Sequence, residues 1–147
     1  MTQAQSDNQA DPGVQPSVAR PGGVTYLRIP ARDPQVSARF YASVFGWTVS
    51  DDPGRSSFAD GTGHVIGHFR TDLAVAGHEG HEGHEGDTGQ AGIRPYIYVD
   101  RIDDTLRAVE AHGGEVTTPP YPEGNLWVAL FRDPAGNIVG TWQQGPR

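Results

Sequence analysis

The chain has 147 residues, a formal net charge of −7 and no cysteine. That length suits one domain. Lack of cysteine excludes disulfides, thiolate metal sites and cysteine nucleophiles, and the acidic balance argues against nucleic-acid and anionic-membrane binding, which use basic surfaces. No run approaches the roughly 18 apolar residues of a membrane span, and no basic-then-apolar signal opens the N-terminus, so a cytoplasmic chain is expected.

Residues 1–22 are rich in Gln, Asp, Ser, Pro and Gly and read as a disordered tail. Strand-like alternation begins at Val24 and runs to Pro30. Asp33-Pro34 then supplies an N-cap and a proline at the first helical position. Val36, Phe40 and Val44 form the apolar stripe of that helix, and Gly46 ends it. Strands are predicted at residues 47–50, 55–59 and 64–70, separated by Asp-Pro-Gly and Asp-Gly turns.

Residues 72–92 form a glycine-rich linker in which the triplet His-Glu-Gly repeats. His78, His81 and His84 in this stretch are weak candidates for collecting a divalent metal. The second unit opens with a strand at residues 94–99. A helix follows from about Ile102 to His112, with Ile102, Leu106 and Val109 on one side, and Gly113-Gly114 closes it. Further strands are predicted at residues 115–118, 126–132 and 137–143, with a turn at residues 121–125.

The second half thus repeats the first: strand, helix, three strands. The expected architecture is α+β, with two βαβββ modules in a pseudo-twofold arrangement. Their strands form an open, barrel-like curved sheet with helices outside. Residues 23–147 make the single domain, with module one at 24–71 and module two at 93–144. Tyr26 is expected to superpose on Arg94, and Gly67 on Gly140.

The segments Ile29-Pro30-Ala31-Arg32-Asp33-Pro34, Phe40-Tyr41, Val44-Phe45-Gly46-Trp47, Val99-Asp100-Arg101-Ile102-Asp103, Gly113-Gly114 and Asp133-Pro134-Ala135-Gly136-Asn137 carry a resemblance. In this order, the set resembles the vicinal oxygen chelate superfamily of glyoxalase I, bleomycin-resistance proteins and extradiol dioxygenases, over residues 24–144. The resemblance implies metal ligands on the first and last strands of each module in the metal-using members. Here those positions hold Tyr26, Arg94, Gly67 and Gly140, so the chain is identified as a divergent member. Zn²⁺ or Fe²⁺ needs several imidazole or carboxylate donors converging at about 2.0–2.2 Å. No cofactor is therefore expected, and no metal in the cavity.

Side chains alternate faces along a strand. Leu27, Ile29, Ile97 and Val99 read as helix-packing residues. Tyr26, Arg28, Arg94, Tyr96 and Tyr98 then point the other way, with Ile138, Gly140 and Trp142, and with Val65, Gly67 and Phe69. Tyr26, Arg28, Arg94, Tyr96, Tyr98 and Trp142 are the ligand-binding candidates, in one pocket where the two glycines leave room. His64 and His68 would face away from it, about 13 Å apart at roughly 3.3 Å per residue. Such a surface suits a planar organic ligand with an anionic or carbonyl group. The leading reading is a small-molecule-binding protein, compatible with a homodimer. A second is a lyase, isomerase or dioxygenase of the same superfamily with a relocated metal site or a metal-free acid/base. Tyr26 and Tyr96 are its catalytic candidates, with Arg28 or Arg94 as oxyanion stabilisers. A third is a structural or partner-binding domain.

Overall fold

The computed structural model describes residues 15–52, 54–75 and 92–147. The triplet-repeat histidines His78, His81 and His84 lie outside the described residues. So does most of the expected tail. From Gln15 the chain makes a turn in which Val18 is buried, and Ser17 donates to the Gly63 carbonyl and accepts from His64.

Each module supplies one four-stranded sheet. Module one contains β1 (Tyr26–Pro30), α1 (Pro34–Phe45), β2 (Thr48–Val49), β3 (Ser57–Ala59) and β4 (Ile66–Arg70). Module two contains β5 (Tyr96–Tyr98), α2 (Ile102–Ala111), β6 (Glu115–Glu123), β7 (Leu126–Arg132) and β8 (Ile138–Gln144). The strand orders are β1-β4-β3-β2 and β5-β8-β7-β6, with the first pair parallel in each. The same plan is thus built twice, and the sheets stay open.

The helix ends follow from local chemistry. Asp33 accepts the Gln35 backbone N–H at 3.1 Å, Pro34 needs no partner at the first position, and Gly46 ends α1 with φ 73°. The buried stripe of α1 differs from the expected one. Of the expected stripe, Phe40 is buried and Val44 packs against the core, whereas Val36 is exposed, and Ser37, Ala38 and Tyr41 are buried as well. A tyrosine can occupy that core because its hydroxyl donates to Asp133 at 2.9 Å. In α2 the buried residues are Ile102, Leu106 and Val109, as the periodicity indicates.

One core joins the modules. Phe40 and Tyr41 of α1, Phe58 and Phe69 of the first sheet, Val109 of α2, and Phe131 and Val139 of the second sheet form a single buried cluster. Trp47 stacks between Tyr41 and Phe58 at 4.5 and 4.8 Å. Polar bonds reinforce the joint: Asn137 Nδ2 donates to the Pro30 carbonyl at 2.7 Å and to Asp133 at 2.8 Å. Asp133 also accepts the backbone N–H groups of Ala135 and Asn137. The Asp-Pro-x-Gly-Asn turn is therefore a clasp across the molecule as well as a hairpin.

The ladders settle which side chains share a face. Leu27, Gly67, Phe58 and Val49 form one row and Ile29 with Phe69 another, both toward the helix. This corrects the expectation for β4. Gly67 and Phe69 face the core, and Ile66 and His68 face the opening. Phe69 takes the core position because it stacks on Tyr41 at 5.8 Å and meets Phe58 at 4.9 Å. His64 precedes the strand altogether.

The expected superposition holds at only one of its two points. Matching the helix N-caps Asp33 and Arg101 sets Tyr26 on Arg94 and Arg28 on Tyr96. Across the ladders Arg28 pairs with His68, and Tyr96 with Gly140. Gly140 thus corresponds to His68, while Gly67 corresponds to Val139.

Candidate functional site

Two open sheet faces carry the candidate residues, and they differ in chemistry. On the first sheet the rows are Arg28, His68 and Ser57, then Tyr26, Ile66, Ala59 and Thr48. The Tyr26 hydroxyl lies 2.7 Å from His68 Nδ1, joined to it by a hydrogen bond. The Arg28 guanidinium carbon lies 5.9 Å from the centre of the Tyr26 ring. Arg70 grips Asp72 through two hydrogen bonds at 2.9 and 2.7 Å. That contact holds the Asp72 carboxyl below its usual range, with Arg28 adding a smaller pull in the same direction. An open recess of about 370 Å³, lined by Tyr26, Thr48, Ser57, Ala59, Ile66 and His68 among others, occupies this face.

On the second sheet the rows are Tyr96, Gly140, Leu130 and Thr118, then Tyr98, Trp142, Val128 and Tyr121. Leu130 and Val128 form a buried aliphatic floor, whereas Tyr96 and Tyr98 are 46% and 49% exposed. Tyr98 and Trp142 meet edge to face with ring centres 4.8 Å apart. Burial, more than the neighbouring Tyr96 and Glu123, raises the Tyr121 hydroxyl above the usual phenol value, and Arg94 pulls it back.

Gly140 does not leave room for a ligand. A Cβ there would clash with the Tyr96 ring, so the ring packs directly against the glycine. At Gly67 a Cβ would strike the Leu27 carbonyl oxygen at 2.0 Å and the Phe58 ring at 2.6 Å. Both glycines therefore serve close packing, one under an exposed ring and the other inside the core.

The alternation places Tyr26 and Arg28 on one open face, and Tyr96, Tyr98 and Trp142 on the other, with Arg94 beside Tyr96. The recess beside Tyr26 is lined by residues of the first module. Sequence reasoning missed two members. His68 was turned inward by a one-residue error in facing, and Tyr121 was assigned to a turn. Trp127 packs on the helix side, with the Arg147 guanidinium 4.9 Å from its ring centre.

Among the described residues, no three His, Cys, Asp or Glu side chains converge as a metal-binding group. On the open faces the first and last strands offer Tyr26, Arg28 and His68 in module one and Tyr96, Tyr98, Gly140 and Trp142 in module two, and His68 Nδ1 is engaged with Tyr26. This donor set does not fit a divalent ion. Also among the described residues, no helix is long and apolar enough to cross a membrane.

The model of the Glyoxalase/Bleomycin resistance protein/Dioxygenase superfamily matches residues 23–140. The anthracycline biosynthesis protein DnrV of Streptomyces peucetius is 30% identical over 132 residues, covering 85% of this chain and 48% of that protein. The chain spans about half the length of the curated relatives it matches. A glyoxalase/bleomycin resistance protein/dioxygenase family enzyme from Burkholderia phytofirmans PsJN superposes with a TM-score of 0.60 at 17% identity, over 82% of this chain and 97% of that one. TnmS3, an antibiotic binding protein from Streptomyces sp. CB03234, superposes with a TM-score of 0.58 at 19% identity, over 84% and 97%. At these identities the two structures show a shared fold.

Proposed function

The chain belongs to the Glyoxalase/Bleomycin resistance protein/Dioxygenase superfamily, and from that premise we propose that it binds a small planar organic ligand carrying an anionic or carbonyl group, without a metal centre. Tyr26 and Arg28 on one face, and Arg94, Tyr96, Tyr98 and Trp142 on the other, are the contacts proposed. The observation that carries this reading is the second sheet's open face, where Tyr96 and Tyr98 stand about half exposed above buried Leu130 and Val128. Aromatic area left in water over an aliphatic floor favours a partner that covers it. Arg94 beside this surface supplies a charge-assisted hydrogen bond for an anionic oxygen. The relative from anthracycline biosynthesis and the antibiotic-binding neighbour support the same ligand class. A homodimer belongs to the proposal, because both sheets leave one face open and the relatives are about twice as long.

Anthraquinone-2-carboxylate is a suitable probe. It should quench protein fluorescence, and Trp142→Phe should remove most of the quenching. Arg94→Ala should weaken binding by about 1.5–3 kcal/mol, the range for a hydrogen bond to a charged group. Unchanged affinity in Arg94→Ala and in Tyr96→Ala, with circular dichroism intact, would overturn the assignment of this face.

A further inference from the structure

We propose that Tyr26 and His68, with Arg28 beside them, form a proton-accepting site that holds an acidic hydroxyl of the bound ligand, a phenol or an enol, as its anion. The inference rests on the ligand-binding reading above and concerns the first sheet's face, whose chemistry differs from the aromatic face. Tyr26 is the outer member of the pair at 43% exposure, and His68 is half-buried beside it. The 2.7 Å bond between the Tyr26 hydroxyl and His68 Nδ1 links an exposed oxygen to a nitrogen base. Both line the recess of about 370 Å³, so a ligand oxygen entering it meets Tyr26 first.

The proton transfer balances without any other reactant. The ligand O–H bond breaks and its proton moves to Tyr26 Oη. The former Tyr26 hydroxyl proton moves to His68 Nδ1. The products are a ligand oxyanion, a neutral Tyr26 and an imidazolium at His68. No electrons change hands, and reversal restores the starting groups.

The surrounding charges favour the anionic product. Arg28 on β1 and Arg70 on β4 are cationic, Asp72 offsets Arg70, and β3 contributes the uncharged Ser57 to the row of His68. Arg28 is therefore a cation placed to compensate a new negative charge, and a neutral ketone would gain less from it. Nothing in the step is specific to one scaffold, so the ligand class is defined by an ionisable hydroxyl on a flat ring or an enolised carbonyl.

The test uses alizarin, a hydroxyanthraquinone whose visible absorption moves to longer wavelength when its hydroxyl ionises. The full chain is titrated with it about one unit below the pH at which the free dye ionises. The bound dye should be about half ionised there, against roughly a tenth of the free dye, its apparent ionisation shifted about tenfold in proton concentration, equal to one pKa unit. Tyr26→Phe and His68→Gln should each return the spectrum to the neutral form. Arg94→Ala should weaken binding without changing the spectrum of the dye that remains bound. The dimethyl ether of alizarin, which cannot ionise, should show no such red shift in wild type or in either variant, and circular dichroism checks that the variants are folded. Bound dye with a neutral spectrum overturns this inference alone. A red shift that persists in both Tyr26→Phe and His68→Gln overturns it as well. Failure of alizarin to bind at all, read by protein fluorescence, brings down the ligand-binding reading with it.

Discussion

Where module one sets Arg28 beside His68, module two lays Tyr96 over Gly140, although the two pairs occupy corresponding ladder positions. One face is therefore polar and able to exchange protons, and the other is aromatic with an aliphatic floor. A shared backbone plan fixes where side chains emerge, and the side chains then divide the chemistry between the two sheets. Keeping the same core and varying only the open rows allows this, because each row alternates with a helix-packing row along its strand.

The sharpest way to break the comparison is at the two glycines. Gly67→Ala drives a Cβ into the Leu27 carbonyl of the parallel partner strand, so β1 and β4 must part. It should destabilise the fold by about 3 kcal/mol or more in urea unfolding, at the upper end for overpacking. Gly140→Ala meets the Tyr96 ring first, an exposed side chain able to swing away. Its cost should be smaller, about 1 kcal/mol, while affinity for anthraquinone-2-carboxylate falls roughly tenfold. Equal destabilisation by both substitutions would show that Tyr96 is as fixed as the core, and the contrast between the modules would fail.

A smaller effect sharpens the same comparison through pH. Burial raises the Asp133 carboxyl above its ordinary value of 3.8, against the hydrogen bonds it accepts from Asn137, Tyr41 and Ala135. The folded chain then holds this proton more readily than the unfolded chain. The Asp133 contribution is fully present below 3.8 and is lost as pH rises through the raised value. Wild type should therefore exceed Asp133→Asn in stability by more at acidic than at neutral pH. A difference that grows toward neutral pH would show that the accepted hydrogen bonds outweigh burial.

Much of the fold was legible because it rests on local chemistry. Asp33-Pro34, Gly46 and the spacing of Ile102, Leu106 and Val109 each act within one or two turns of helix. The facing of β4 was not, because apolar residues fall on both of its alternating rows, Ile66 on one and Val65 and Phe69 on the other. Only the parallel pairing with β1 decides between them, and an error of one residue turns every side chain over. Tyr121 was hidden for a different reason. The prolines at 119, 120 and 122 argue for a turn, yet β6 is the edge strand of its sheet and tolerates them with shifts of register. Pairing Tyr26 with His68 required knowing that strands distant in sequence lie side by side.

The clasp made by Asn137, Asp133 and Tyr41 has a consequence for how the molecule opens. Pro30 and Tyr41 belong to module one, and Asp133 and Asn137 to module two. With Phe40, Phe69, Phe131 and Val139 in one cluster, neither half retains a complete interior by itself. Backbone amides around Phe40 and Phe131 should therefore share one slow rate of deuterium uptake, set by opening of the whole domain. The duplicated plan, visible in every strand, thus behaves as a single cooperative unit, and evolution of one half is constrained by the interior of the other.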